Sequence, residues 1–262
     1  MKISVVMQSY LGDYPDSRKD PKNKFIRAVT SFLRQTHQDK ELIIVSDGCE
    51  DTKKIYDLFF VDNKEIKFCY VSKDKGSQRM YELNNNILNY RGKPRALGVA
   101  LSSGDIVTYF DSDDIMLPNR LSDLNSHWEK QPEEVKFASN PFRFLHINAL
   151  GKHNITCERM LPENPNVQIN LKNYGYMQQE FYLSRAVEKG FVFCASWALS
   201  HRKNINVTWS DTQKILNENR QIISGVSEDL NFLDELMKIG KGSTQESASI
   251  VICHYRMGLW DV

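Results

Sequence analysis

The first 115 residues alternate between short apolar runs and amphipathic stretches. Positions 3–7, 42–45, 66–71 and 106–110 are apolar, largely β-branched or aromatic runs bounded by polar residues, and they read as buried strands. Between the first two, a polar loop at 13–23 holding Pro15 and Pro21 leads into Phe25, Ile26, Val29, Phe32 and Leu33, whose helical spacing predicts an amphipathic helix ending near Gln35. Ser46-Asp47-Gly48 turns out of the second strand, and Asp51 is placed to cap a helix that runs to near Phe60. Residues 94–101 read as a helix with Pro94 in its first turn. The polar stretch 73–93, with Asn84, Asn85 and Asn86 in a row, is assigned no element. Strand–helix alternation of this kind predicts an α/β architecture with a mixed, mostly parallel sheet flanked by helices.

The pattern weakens after residue 115. A helix is expected over 118–130, with Leu121, Leu124 and Trp128 on one face, then an extended segment over 135–145 and an irregular polar stretch over 148–173. The aromatic run 191–199 reads as a strand or buried loop, His201-Arg202-Lys203 as a solvated loop, and Ser227 as the cap of a helix over 228–239. Residues 250–253 form a last strand. No repeat or linker interrupts the chain, so 1–262 is expected to be a single domain with two lobes, 1–115 and 116–262.

The stretch Val107-Thr108-Tyr109-Phe110-Asp111-Ser112-Asp113-Asp114 carries the candidate chemistry. A buried strand runs straight into three carboxylates, at the end of a strand where open α/β sheets bind ligands. Crowded carboxylates repel one another unless a cation or proton sits among them. Oxygen-only ligands suit Mg²⁺ or Mn²⁺, which commonly bind through one or two carboxylates together with substrate phosphates. An acidic turn with solvated side chains is the plain alternative.

Composition narrows the classes. The formal net charge of +1 argues against a protein built to coat nucleic acid. Five cysteines without a CxxC spacing fit reduced, packed thiols in a cytoplasmic setting better than a disulfide framework. No apolar run reaches membrane-spanning length, which leaves attachment peripheral to a membrane open. Gln8-Ser9-Tyr10-Leu11-Gly12 follows the first strand where a dinucleotide-binding fold would carry a glycine-rich turn. The motifs GxxxxGK(S/T), HExxH and GxSxG are absent.

Five segments recur together in one known family. They are Ser4-Val5-Val6-Met7-Gln8-Ser9-Tyr10, Ser31-Phe32-Leu33-Arg34-Gln35-Thr36, the run from Glu41 to Thr52 through Asp47-Gly48, Pro94-Arg95-Ala96-Leu97-Gly98-Val99-Ala100, and Gly104 to Asp114 with its Asp-x-Asp motif. In this order and spacing the chain resembles family 2 glycosyltransferases of the GT-A fold, inverting enzymes that use sugar nucleotides. Ser227-Glu228-Asp229 adds a thinner match in the second half. Four positions depart from the family's usual pattern: Gln8-Ser9 stands for Pro-Thr, Ser46 for the first Asp of an Asp-Asp pair, and Ala96 for Asn.

The resemblance implies roles. Gln8 and Tyr10 would line the base pocket, Asp47 would accept from a uracil imide, and Arg95 and Ser112 would lie near the nucleotide. Asp111 would contact the ribose and share a metal with Asp113, His254 would be a late third ligand, and Asp229 would be the general base. The implied donor is a UDP-sugar, the cofactor Mn²⁺ or Mg²⁺, and the acceptor a glycan, a lipid-linked sugar or a protein, with a nucleic-acid base as a minor alternative. Two other functions stay open at this point. One is a haloacid-dehalogenase-type phosphohydrolase, because Phe110 to Ile115 mimics an Asp-x-Asp-x-(Thr/Val) nucleophile loop. The other is a catalytically silent sugar-nucleotide-binding protein.

Overall fold

The computed structural model describes residues 1–12, 20–72, 92–140, 142–147, 153–156, 199–209, 213–216, 222–226, 228–245 and 250–252. The elements are β1 (Ile3–Ser9), α1 (Pro21–Leu33), β2 (Lys40–Asp47), α2 (Glu50–Phe59), β3 (Ile66–Val71), α3 (Gly92–Leu101), β4 (Ile106–Tyr109), β5 (Ile115–Met116), α4 (Arg120–Trp128) and β6 (Val135–Ser139). They continue with β7 (Phe142–Ile147), β8 (His153–Thr156), β9 (Leu199–Arg202), β10 (Gln213–Leu216), β11 (Ile222–Val226), α5 (Glu228–Ile239), β12 (Lys241–Thr244) and β13 (Ile250–Ile252).

Among the described residues the main sheet has seven strands in the order β12-β6-β9-β4-β1-β2-β3. β1 pairs in parallel with both β2 and β4, β2 with β3, and β12 with β6. β9 alone runs the other way, between β4 and β6. The carboxyl ends of β1 to β4, β6 and β12 therefore share one edge. A smaller sheet orders β5-β13-β7-β8, and β10 pairs with β11.

Side-chain alternation divides the core across the two faces of the sheet. Ile3, Val5, Met7, Leu42 and Ile44 pack with Phe25, Val29 and Phe32 of α1 and Leu121, Leu124 and Trp128 of α4. Val6, Val107, Tyr109 and Phe137 pack on the opposite face with Trp209 and with Phe232 and Leu236 of α5. α3 closes that face at short range, since a Cβ on Gly98 would come within 2.4 Å of Val6 Cγ1. No described helix is long and apolar enough to cross a membrane.

Several boundaries differ from the sequence reading. α1 starts at Pro21, inside the expected loop, because proline's missing N–H costs nothing in a first turn. Asp51 does not cap α2: Gly48, at φ 70°, turns the chain so that Cys49 takes the cap position, and Asp51 in the first turn pairs with Lys22 at 2.9 Å. The extended segment 135–145 divides into β6 and β7, which join different sheets. β8 falls in the stretch expected to be irregular, and β10, β11 and β12 were not foreseen. His201 and Arg202 lie in a strand rather than a solvated loop, and His201 is fully buried. Ser227, the run 191–198, Cys253 and His254 lie outside the described residues.

Candidate functional site at the carboxyl edge of the sheet

Three adjacent parallel strands deliver candidate residues to one edge. Gln8 sits near the end of β1, Asp47 ends β2, and Asp111 follows β4 by two residues. Their levels are fixed by pairing of Gln8 with Val45, Ser9 with Ser46 and Val6 with Tyr109. Asp47 is buried, and Gln8 is half-buried with its Oε1 atom shielded and without a hydrogen-bond partner. Tyr10 is half-buried against the α1-side core.

Connectivity adds three helix starts to the same edge. α3 ends at the amino edge, where Lys67 near the start of β3 bonds the Leu101 carbonyl just before β4, so its first turn, with Arg95, begins toward the carboxyl edge. α5 stops one residue before β12, and its twelve residues span about 18 Å. Its start, where Asp229 is the second residue, therefore lies at the carboxyl edge as well. α4 precedes β6 in the same way and puts Arg120 there.

Asp111, Asp113 and Asp114 each offer a carboxylate oxygen, and these oxygens lie within 4.8 Å of one another. Asp111, Ser112 and Asp113 are half-buried and Asp114 is buried. Hard oxygen donors this close fit a divalent cation of the Mg²⁺ or Mn²⁺ type. The turn that holds them is tight, with the Asp114 amide donating to the Asp111 carbonyl at 3.4 Å.

α1 fastens this turn. Arg27 Nη2 donates to the Asp113 carbonyl at 2.9 Å, Ser31 Oγ accepts from the Met116 amide at 3.0 Å, and Gln35 Nε2 donates to the Leu117 carbonyl at 2.7 Å. Positions 27 and 31 are four apart on α1 and share one helical face, and Gln35 follows just past the last helical residue, Leu33. Gln35 Oε1 also accepts from the Leu121 amide at 3.0 Å, tying in α4. The Ser31 to Thr36 segment thus has a job in holding the acidic turn. Arg27 was missed, because an arginine on a helix surface gives no sequence signal of a backbone contact 86 residues away.

A second missed group lies beneath Arg95. The Arg95 guanidinium, only 3% exposed as a residue, stands 4.8 Å from the centre of the Trp209 ring. Trp209 stacks on Phe232 of α5 at 4.1 Å and 12°, and its Nε1 donates to Tyr109 Oη at 2.7 Å. Tyr109 Oη is also 2.7 Å from His201 Nε2. Burial pushes the His201 pKa down to about 4, with Lys203 adding to the effect and the Arg202 carbonyl opposing it, so the imidazole is neutral near pH 7.

Deep at the same edge, Arg120 is fully buried, with Nη1 donating to Gln245 Oε1 at 3.2 Å and Nε and Nη2 unpaired. Burial holds its pKa down at about 9, with Asp123 opposing. Asn140 Nδ2 and Gln245 Nε2 are buried without partners as well.

Comparison with known proteins gives one family. A model described as "Glycosyl transferase family 2" matches residues 22–191. An uncharacterized glycosyltransferase of Rickettsia bellii is 35% identical over 152 residues, 58% of this chain and 18% of the relative. WfgD of Escherichia coli, a UDP-Glc:alpha-D-GlcNAc-diphosphoundecaprenol beta-1,3-glucosyltransferase, is 24% identical over 191 residues, 73% of this chain and 63% of its own. The crystal structure of Staphylococcus aureus TarS 1–349 in complex with UDP has a TM-score of 0.56 at 15% identity, covering 96% of this chain and 60% of TarS 1–349. TarS 1–349 is also known in complex with UDP-GlcNAc. The chain spans less than two thirds of the length of each of these proteins. The fold they share is GT-A.

Proposed function

The chain belongs to glycosyl transferase family 2, and on that premise we propose that it is a metal-dependent enzyme that moves a sugar from a UDP-sugar to an acceptor hydroxyl with inversion. The observation that carries this reading is the trio of carboxylate oxygens within 4.8 Å of one another at the carboxyl edge of the sheet. The UDP complexes of TarS and the UDP-glucose donor in the name of WfgD support the choice of nucleotide.

Asp113 and Asp111 hold the divalent cation, with Ser112 between them beside the donor. Lewis-acid stabilisation of charge on the departing diphosphate is the chemistry such a cation supplies when bound. The other roles fall to the chain itself. Gln8, Tyr10 and Asp47 receive the base: Asp47 accepts from the uracil imide N–H, and Gln8, whose Oε1 is shielded and without a hydrogen-bond partner, lines the pocket beside it. Arg95 offsets negative charge on the nucleotide. Asp229, at the start of α5, takes the proton from the acceptor hydroxyl as it attacks the anomeric carbon from the face opposite the leaving group. Single displacement requires one carboxylate on the acceptor side. Residues 1–115 form the donor-binding lobe and 116–262 the acceptor-binding lobe of one domain, and the acceptor is a glycan or a lipid-linked sugar.

Calorimetric titration and thermal unfolding with UDP, with and without Mn²⁺, test this. Ligand at a hundred times its Kd adds about 2.7 kcal/mol to stability, so UDP with Mn²⁺ should raise Tm above either alone, and Asp113→Asn should remove the contribution of Mn²⁺. No stabilisation by any nucleoside diphosphate with Mn²⁺ or Mg²⁺ would sink the reading.

A further inference from the structure

Trp209 touches three elements, each carrying a different part of the candidate site. Its indole N–H bonds to Tyr109, the last residue of β4, two positions before Asp111. Its ring faces the Arg95 guanidinium of α3 at 4.8 Å. Phe232, three residues after Asp229 on α5, stacks on the same ring at 4.1 Å and 12°. Tyr109 closes the group edge-on, 5.0 Å from Trp209 and 6.3 Å from Phe232.

The polarity of the hydrogen bonds is forced. His201 Nδ1 lies 2.7 Å from the Arg202 carbonyl, which can only accept, so Nδ1 carries the proton. In a neutral ring Nε2 is then an acceptor, and Tyr109 Oη donates to it. The tyrosine oxygen is left to accept from Trp209. A chain running from Trp209 through Tyr109 and His201 to a backbone carbonyl is fully satisfied and buried, and such chains rigidify what they join. Trp209 is held in one orientation from the sheet side while its ring meets a cation and a helix.

We propose that Trp209 is a positioning residue that links nucleotide occupancy beside Arg95 to the placement of α5, and so to Asp229. The inference rests on the donor reading above. Its physical basis is that packed chains of side chains carry coupling when both ends bias a common element. Ordering of Arg95 by a nucleotide fixes one face of Trp209, and the stacked Phe232 passes that restraint to α5.

Hydrogen exchange of the full chain over 228–239, with and without UDP and Mn²⁺, reads this without an acceptor, while calorimetry reports binding in parallel. In the wild type, ligand should slow α5 exchange by at least about fivefold, the low end of ordinary site–site coupling. Trp209→Leu should still bind UDP but lose that protection. Trp209→Phe, which keeps a ring between Arg95 and Phe232, should retain most of it. If Trp209→Leu does not fold, Phe232→Leu breaks the same stack from the helix side and is read in the same way. Unaltered protection in Trp209→Leu with UDP bound, or ligand that leaves wild-type α5 unchanged, overturns the coupling alone. Loss of protection in both Trp209 variants overturns the stack as the link. Binding of none of UDP, ADP, GDP, CDP and dTDP overturns the donor reading, and the coupling with it.

Discussion

At the amino edge of the main sheet, Glu41 is buried and surrounded by donors: Ser4 Oγ at 2.6 Å, the Ser103 amide and hydroxyl, Lys67 at 2.9 Å and Lys2 at 3.2 Å. At the carboxyl edge, Arg120 is as deeply buried but has one long hydrogen bond and two unpaired nitrogens, and three carboxylates crowd together nearby in the chain. Burial alone would raise the Glu41 pKa, yet hydrogen bonds from Lys67, Ser4 and Ser103 outweigh it and hold the group at about 2. The same chain that fully solvates one charge with its own groups leaves the other edge with polar capacity unspent. Polar groups left unmatched in a folded interior are where a ligand changes the energy most. The contrast separates an edge that serves the fold from an edge that serves chemistry, and mutation should separate them too.

The largest effect should fall on chemistry alone. Asp113→Asn removes a carboxylate from the proposed cation site, and loss of several kcal/mol of charge stabilisation corresponds to a drop on the order of 10²–10³ in UDP-sugar turnover. The protein should remain folded, because the substitution keeps the side chain's size at a half-buried position. Hydrolysis rates and Tm on the same preparation check both halves. Unchanged turnover would place the chemistry elsewhere.

Between the edges, burial keeps the His201 ring neutral. Its folded pKa of about 4 lies below the model-peptide value of 6.5, so the unfolded chain takes up a proton that the folded chain refuses. Stability is therefore fully present above pH 6.5 and is lost as pH falls toward 4, by about 3 kcal/mol. Glu41 adds its own loss only lower, as pH falls from 4.5 toward 2. Urea titrations between pH 7 and 4 should show the first loss in the wild type and not in His201→Gln; an equal slope in both would assign it to other groups.

Glu41→Gln should cost about 2 kcal/mol, below the usual range for breaking a buried pair because Lys67 and Lys2 retain access to water. UDP affinity should not change. A weakened UDP affinity at equal folded fraction would show that the two edges are not independent.

Legibility in the sequence follows the same division. The strands β1, β2 and β4 were readable because parallel strands buried on both faces are continuous apolar runs, and the half-buried edge strand β3 by its aromatic and β-branched residues; the acids at the end of β4 stand out against such a run. His201 was misread because Ser200-His201-Arg202 is polar, and only pairing to β4 and β6 makes it a core strand. Trp209 gave no signal, since its three partners come from 95, 109 and 232. Arg27 and Ser31 lie on a visible helix and Gln35 just past its end, but what they grip is a backbone turn more than 80 residues later. Local pattern shows which face is buried; it does not show which distant groups meet there.

The smallest effect sharpens the contrast most. Arg120→Met keeps the volume of a long side chain and removes a buried charge that has one hydrogen bond at 3.2 Å. Replacing an ill-matched buried charge by an apolar side chain is often neutral or stabilising, because the desolvation cost disappears with it. Gln245 Oε1 loses a donor, which offsets part of the gain. The change in unfolding free energy should therefore be within about 1 kcal/mol of zero, against the larger loss expected for Glu41→Gln on the opposite edge. Urea unfolding of the two variants side by side measures it. A loss above about 3 kcal/mol, the range for breaking a well-paired buried charge, would mean that Arg120 has its partners after all, and that the carboxyl edge is as closed as the amino one.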